Sequence, residues 1–245
     1  MPEGLGALKE AVDALDPALR ERLAQRWATA ALDEHASIAS FSRFSLHLQA
    51  VGAPPELLVG AHKAALDELE HARLCFTLAS VYAGEPLSPA PLDLSGDLLG
   101  PLTLPAITAA AVLEGCVGET VAALEAATAA QGAEARAVRE ALQTIAGDEA
   151  RHAQLAWRFV QWALAEGDPE VEAAARQAFQ HALGADPGPE PAPGPEDAAL
   201  AAHGKLSEAA RYRVRREAAQ AVLPPAIRAL FKDQTLRLGG RIALA

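Results

Sequence analysis

Two five-residue stretches of this sequence, DELEH at residues 67–71 and DEARH at residues 148–152, repeat the pattern Asp-Glu-x-x-His. Both lie within long segments whose apolar residues recur with the period of an α-helix. Residues three positions apart are neighbours on one side of a helix, so the glutamate and histidine of each stretch can bind one metal ion together. One such stretch is weak evidence of a metal site. Two of them in corresponding places of the chain favour a helical protein that binds metal between its helices.

The composition predicts an all-α fold. Of the 245 residues, 51% are apolar but only 4% are aromatic, so Ala, Leu and Val must supply most of the core. Alanine and leucine favour helices, whereas the aromatic residues that favour strands are scarce. Helical periodicity extends over four long segments, at about residues 16–50, 55–84, 104–131 and 133–167.

The connections between these segments predict a four-helix bundle. Gly and Pro residues at 51–55 make a short turn between the first two helices, and a second short turn joins the last two. A proline-rich crossover at residues 85–101 connects the two helical hairpins, as in bundles with one long connection. We therefore expect a bundle at residues 17–166 and a helical extension at residues 167–245, with a proline-rich linker at 184–197.

The extension contains a basic segment. The sequence predicts a helix at residues 206–222 that carries four arginines and ends at Pro224-Pro225. Three interpretations of these arginines remain open: they form a solvated helix face, they pair with acidic residues of the bundle, or they bind a partner.

Charge and cysteine content exclude several classes of protein. With 21 Lys+Arg against 32 Asp+Glu, the formal net charge is −11, which argues against non-specific binding of nucleic acid or anionic lipid. Two cysteines cannot make a disulfide scaffold, and no CxxC motif is present. The N-terminal residues do not follow a signal-peptide pattern, and three glutamates interrupt the apolar segment at 106–130, so we expect a cytoplasmic protein without a membrane span.

The helix paired with each Asp-Glu-x-x-His helix is expected to supply one further carboxylate. In the first helix this is Glu34, which lies 34 residues before Glu68. The third helix offers Glu114 and Glu119, which are five residues and hence about 140° apart around an α-helix, so only one of them can face the site. Apolar neighbours and an interval of 35 residues to Glu149 favour Glu114, and Glu119 is the alternative.

Together these side chains form a ligand set for two divalent cations. Four carboxylates balance two ions of charge 2+, since −4 + 4 = 0, and mixed carboxylate and imidazole donors suit iron or manganese. The aspartate directly before each paired glutamate is expected to accept a hydrogen bond from a ligand histidine. The predicted ligands are Glu34, Glu68, His71, Glu114, Glu149 and His152, and the supporting aspartates are Asp67 and Asp148.

This pattern resembles the ferritin-like di-metal carboxylate superfamily, in which two helices each supply a Glu and two others each supply Glu-x-x-His. The resemblance covers about residues 17–166, and the doubled motif is similar to that of bacterial di-iron oxidases and oxygenases. Those proteins often carry Arg just before the histidine; Arg151 fits this, whereas Glu70 departs from it. The resemblance implies a ferritin-like bundle with two iron ions, or with manganese or a mixed manganese–iron pair.

An O2-activating enzyme is the function that the resemblance implies. Such a protein would oxidise or oxygenate a small organic substrate with electrons from a donor partner, and whether it forms a homodimer stays open. A ferroxidase, iron-storage or peroxide-detoxifying protein is the alternative, and a non-catalytic helical interaction protein is the second alternative. The small residues Ser37, Gly115 and Gly118 either leave room for O2 or substrate or allow close contact between helices.

Overall fold

All of the regular structure in the described residues is helical. The computed structural model describes residues 4–96, 98–184 and 188–231. Eight helices lie in these ranges: α1 (Leu5–Asp13), α2 (Pro17–Ala50), α3 (Pro55–Ala83), α4 (Leu104–Gly132), α5 (Arg136–Ala165), α6 (Pro169–Gly184), α7 (Asp197–Ala202) and α8 (residues 208–231). The predicted all-α fold is confirmed.

Capping residues explain where α2 and α3 begin and end. The Asp16 carboxylate accepts hydrogen bonds from two backbone N–H groups in the first turn of α2, where Pro17 fits because it has no N–H to satisfy. Helix α3 likewise begins with Pro55, and it ends before Gly84, whose φ of 82° is the left-handed conformation that favours glycine. Because these signals are local, the sequence predicts both helices closely.

Helices α2 to α5 form a bundle of two hairpins. Helix α2 packs along α3, α4 packs along α5, and contacts between α3 and α5 hold the two hairpins together. The crossover between the hairpins contains no helix in its described residues. Helices α2 and α4 make little direct contact, which leaves a gap between them.

Two apolar clusters fill the bundle on either side of a polar layer. The first cluster includes Trp27 and Val138, and the second includes Leu48 and Phe159. Between them lie buried glutamates and histidines, which interrupt the apolar core. Buried charged groups are costly unless they are paired or bound to a metal, so this layer needs such partners.

The C-terminal extension packs against both apolar clusters. Leu200 is buried within the first cluster and Phe179 within the second. Lys205 is also buried, and its Nζ lies 3.4 Å from the centre of the Trp27 ring. Two parts of the predicted extension and its linker, residues 185–187 and 232–245, lie outside the described residues.

The basic helix of the extension differs from the sequence prediction at its end. Arg215 Nε lies 3.0 Å from Glu125 on α4, so at least one of its arginines pairs with the bundle. The prediction that the helix stops at Pro224-Pro225 is wrong, because α8 continues to residue 231 after a π-helical turn at Ala218–Val222. A wider turn moves the preceding carbonyl groups away from the proline rings, which would otherwise clash with them.

Helix α4 is the one helix in the described ranges that is long and apolar enough to cross a membrane. Its most apolar 18-residue window has a mean hydropathy of 1.5, and 28% of that window is buried. Length and composition alone are weak evidence of a membrane span, because the core helix of a bundle passes the same test. Here α4 packs along α5 within the bundle.

Candidate metal centre

Four glutamates and two histidines form a cluster in the middle of the bundle, and all four bundle helices contribute to it. Glu34 comes from α2 and Glu119 from α4, while α3 and α5 each supply the glutamate and histidine of one Asp-Glu-x-x-His stretch. The centres of the two histidine rings lie 5.9 Å apart. The members of this carboxylate–histidine cluster are Glu34, Glu68, His71, Glu119, Glu149 and His152.

The cluster divides into two overlapping groups that can each hold a metal ion. Within a group, one ligand atom from each of four residues lies within 4.8 Å of the others. One group consists of Glu34, Glu68, His71 and Glu149, and the other consists of Glu68, Glu119, Glu149 and His152. Glu68 and Glu149 belong to both groups.

The glutamate that α4 contributes is Glu119, which corrects the sequence-based choice of Glu114. The side chain of Glu114 is 56% exposed and pairs with Arg43 on α2. The reason is a π-helical segment, Ala111–Glu119. Each residue of a π-helix turns the chain by less than the roughly 100° of an α-helix, so an α-helical wheel that starts at Ile107 selects the wrong glutamate.

Each histidine contacts the aspartate of the opposite stretch through its outer nitrogen. His71 Nε2 lies 3.0 Å from Asp148 Oδ2, and His152 Nε2 lies 3.3 Å from Asp67 Oδ2. When Nε2–H donates to the aspartate, Nδ1 is the atom that faces the glutamates. Once deprotonated, Nδ1 of each ring can therefore bind an ion while the aspartate fixes the ring orientation.

Arg151 and Glu70 make the two stretches unequal. Arg151 forms an ion pair with Asp148, and its Nη2 lies 3.8 Å from Asp67 Oδ2. Glu70, at the corresponding position of α3, instead accepts a hydrogen bond of 2.7 Å from Arg73 Nε at the surface. The guanidinium of Arg151 therefore lies within ion-pair distance of both aspartates.

Burial and mutual repulsion favour the protonated form of two glutamates. Burial raises the pKa of Glu119 to about 11, and its contact with Glu149 adds to the rise. Burial also raises the pKa of Glu34 to about 7, although the nearby His71 opposes it. For Glu149 burial raises the pKa too, but the contacts with His152, His71 and Glu119 outweigh burial and bring the pKa below its ordinary value.

The pKa of both histidines is raised. Burial lowers the pKa of His152, but its contacts with Glu149 and Glu68 outweigh burial and raise the value to about 9. The carboxylates around His71 likewise outweigh burial and raise its pKa above the ordinary range. At neutral pH the cluster therefore holds protons that a bound cation would replace.

Two buried polar atoms of the cluster have no hydrogen-bond partner among the described residues. They are Glu68 Oε2 and His71 Nδ1. Carboxylate oxygens of Glu34, Glu68 and Glu149 lie 3.5–3.6 Å from His71 Nδ1, beyond ordinary hydrogen-bonding distance. Because unpartnered buried polar atoms are costly, a cation among these atoms would satisfy them, and the donor set fits a metal ion.

A cavity of about 530 Å³ lies between α2 and α4 and reaches the cluster. Apart from the cluster residues, the wall of this cavity is largely apolar and includes Phe44 and Leu155. Phe41 also lines it and packs edge-on against the ring of His152, with ring centres 4.8 Å apart. The volume is in the range of small-molecule sites. The cluster residues in its wall are Glu34, Glu119, Glu149 and His152.

The small residues near the cluster serve different purposes. A Cβ atom at Gly115 would lie 2.3 Å from the Cβ atom of Ala156, so this glycine permits the close contact of α4 with α5. Gly118 and Ser37 line the cavity. Gly115 thus allows close contact between two helices, and Gly118 and Ser37 leave space in the cavity.

Comparisons with known proteins identify no relative of this chain. No protein-family model matches the sequence, and the comparisons with curated proteins and with solved structures give no match. The function is therefore inferred from the geometry of the cluster and its cavity.

Proposed function

We propose that the protein is a di-iron carboxylate oxidoreductase that uses O2 to oxidise or oxygenate a small organic substrate. The observation that carries this proposal is the cavity of about 530 Å³, because four cluster residues form part of its wall. A small molecule in the cavity would lie against the metal ligands. A metal site that only stabilises the fold has no need of such an opening.

The donor set supports a pair of iron ions. In the proposed arrangement Glu34, Glu68, His71 and Glu149 would hold one ion, and Glu68, Glu119, Glu149 and His152 would hold the other. Four carboxylates balance the charge of two dications, and the mixed oxygen and nitrogen donors suit iron, with manganese as the alternative. Bound there, the iron pair would supply the reduction of O2, with electrons from the substrate and a donor protein.

The chain's own residues would orient the ligands and limit the access of water. Asp148 and Asp67 hold the outer nitrogens of the two imidazoles. Arg151 in turn holds both aspartates in place. Phe41 covers the ring of His152 on the cavity side, and the apolar walls favour an organic molecule over water.

Iron loading followed by exposure to O2 tests the proposal. Anaerobic addition of Fe(II) should load about two ions per chain, and O2 should then be consumed in proportion to bound iron, as measured with an oxygen electrode. The variant Glu68→Ala/Glu149→Ala, which lacks both shared ligands, should bind no iron and consume no O2. Glu70→Ala is the matched control, because it removes a surface glutamate of α3 and should change neither quantity.

Two results would contradict the proposed oxidoreductase. Uptake of many iron ions per chain into a large hollow assembly would identify an iron-storage protein instead. Iron-loaded protein that consumes no O2 would leave a metal site without the proposed activity.

A further inference from the structure

An ion pair in the wall of the cavity indicates the class of substrate. Arg43 on α2 and Glu114 on α4 both line the cavity, and Arg43 Nη2 lies 2.5 Å from Glu114 Oε2. We propose that Arg43 binds the carboxylate of an organic acid, and that Glu114 occupies Arg43 until this acid replaces it. The proposal rests on the cavity being the substrate site of the proposed oxidoreductase.

The two partners differ in exposure, and this difference determines which one can leave. The side chain of Glu114 is 56% exposed, whereas that of Arg43 is 25% exposed. Solvent screens an exposed carboxylate, so Glu114 loses little when it swings into water. The more buried guanidinium still needs an anion, and its planar fork matches a carboxylate. Exchange of one carboxylate for another therefore keeps Arg43 paired.

The ion pair spans the opening between two helices that otherwise make little contact. Along α2, Arg43 lies nine residues after Glu34, a rise of about 14 Å, whereas along α4 Glu114 lies five residues before Glu119, a rise of about 7 Å. The ion pair therefore lies about 7–14 Å along the bundle from the cluster. A carboxylate held at Arg43 would therefore leave the rest of the molecule free to extend along the cavity toward the cluster. An acid with a chain of medium length fits this separation.

The other groups in the wall favour an acid with an apolar body. Arg43 is the one arginine or lysine that lines the cavity within the described residues. Phe41, which lies between Glu34 and Arg43 along α2, and Leu155 of α5 line the cavity with apolar side chains. An amine would instead be attracted to Asp33 and Glu114, but both of these are exposed, so its charge would stay in water.

Calorimetric titration of the zinc-loaded full chain with three matched compounds tests the proposal. The compounds are octanoate, octylamine and octanol, which share one apolar chain and differ in the head group. Zinc makes the protein redox-inert, and a parallel titration of the metal-free protein keeps the result independent of whether the proposed oxidoreductase activity exists. Circular dichroism melting checks that each variant is folded.

Two substitutions in the same ion pair should have opposite effects. Arg43→Gln should weaken octanoate binding about tenfold or more, because it removes the anion's partner. Glu114→Gln should tighten octanoate binding a few-fold, because it removes the competing carboxylate. Neither substitution should change the binding of octanol by a comparable factor.

Several results would overturn the proposal. If both substitutions weaken octanoate binding alike, the ion pair is purely structural. If Arg43→Gln leaves the affinity unchanged, the carboxylate binds elsewhere, for instance at the metal. Tighter binding of octylamine than of octanoate, or no binding of octanoate to the unaltered protein, also contradicts an organic acid.

Discussion

At the scale of single residues, Asp148 and Asp67 differ in how firmly they hold their histidines. Asp148 is closer to its histidine Nε2, at 3.0 Å against 3.3 Å, and its side chain is 12% exposed against 32% for Asp67. We expect Asp148→Asn to lower metal affinity about 10–100-fold and Asp67→Asn to lower it less. Competition with a chelator of known affinity measures both. A larger effect at Asp67 would contradict the assignment.

Metal binding should release protons, because several glutamate and histidine side chains of the cluster have raised pKa values and are protonated before the metal binds. Glu119, with a pKa of about 11, and His152, with a pKa of about 9, are protonated at neutral pH, and Glu34, at about 7, is partly protonated. A cation must displace these protons, so its affinity should rise with pH. Calorimetry in buffers of different ionisation enthalpy counts the protons. Binding without proton release would contradict the described cluster.

Most of the cluster can be predicted from the sequence, because spacing on a single helix is a local property. Both Glu-x-x-His pairs are defined by a separation of three residues, and this holds in any α-helix. The choice between Glu114 and Glu119 depends on the π-helical segment, which carries no simple sequence signal. The buried Ala126 and Ala130, seven and eleven residues after Glu119, lie on its helical face and would have favoured it.

At the scale of the helices, the contact of α4 with α5 places Glu119 in the cluster. Gly115→Ala should destabilise the protein by about 1–3 kcal/mol and weaken metal binding, because the added Cβ would lie 2.3 Å from that of Ala156. Gly147→Ala on α5 is the matched control, since its Cβ would have no neighbour closer than 3.9 Å. There the free energy of unfolding should stay the same or increase. Chemical denaturation and metal titration measure both effects.

Equal stability of the two glycine variants would show that α4 and α5 can separate without cost.

The helix bounds themselves follow from local signals such as Asp16, Pro17 and Gly84, which is why the sequence predicts them. The cavity between α2 and α4 does not follow from any local signal. It results from the packing of two hairpins, so the pairing of Arg43 with Glu114 could not be predicted from the sequence.

At the scale of the whole molecule, the extension contributes a buried lysine to the bundle. Burial lowers the pKa of Lys205 to about 8. The unfolded chain retains this proton up to a pKa of about 10.4, so it binds more protons than the folded chain between these values. Lys205 alone should therefore add up to about 3 kcal/mol to the free energy of unfolding between about pH 8 and pH 10, whereas Glu119 and His152, whose pKa values are raised, contribute a fall within the same range.

Replacement of Lys205 tests this pH dependence. Relative to the unaltered protein, Lys205→Met should lose up to about 3 kcal/mol from the change in the free energy of unfolding between these pH values. Lys63→Met, which replaces an exposed lysine of α3, should show the same change as the unaltered protein. Denaturant titrations of the three proteins at about pH 7.5 and pH 10 give the comparison. The same pH-dependent change in Lys205→Met as in the unaltered protein would show that this lysine is not buried with a lowered pKa.

The most direct test of the account is the iron content of the full chain after anaerobic loading with Fe(II) and removal of the excess. We predict about two ions per chain for the unaltered protein and for Glu114→Ala, fewer for Glu119→Ala, and none for Glu68→Ala/Glu149→Ala. No bound iron in the unaltered protein, or two ions retained in the double variant, would contradict a metal centre at the carboxylate–histidine cluster.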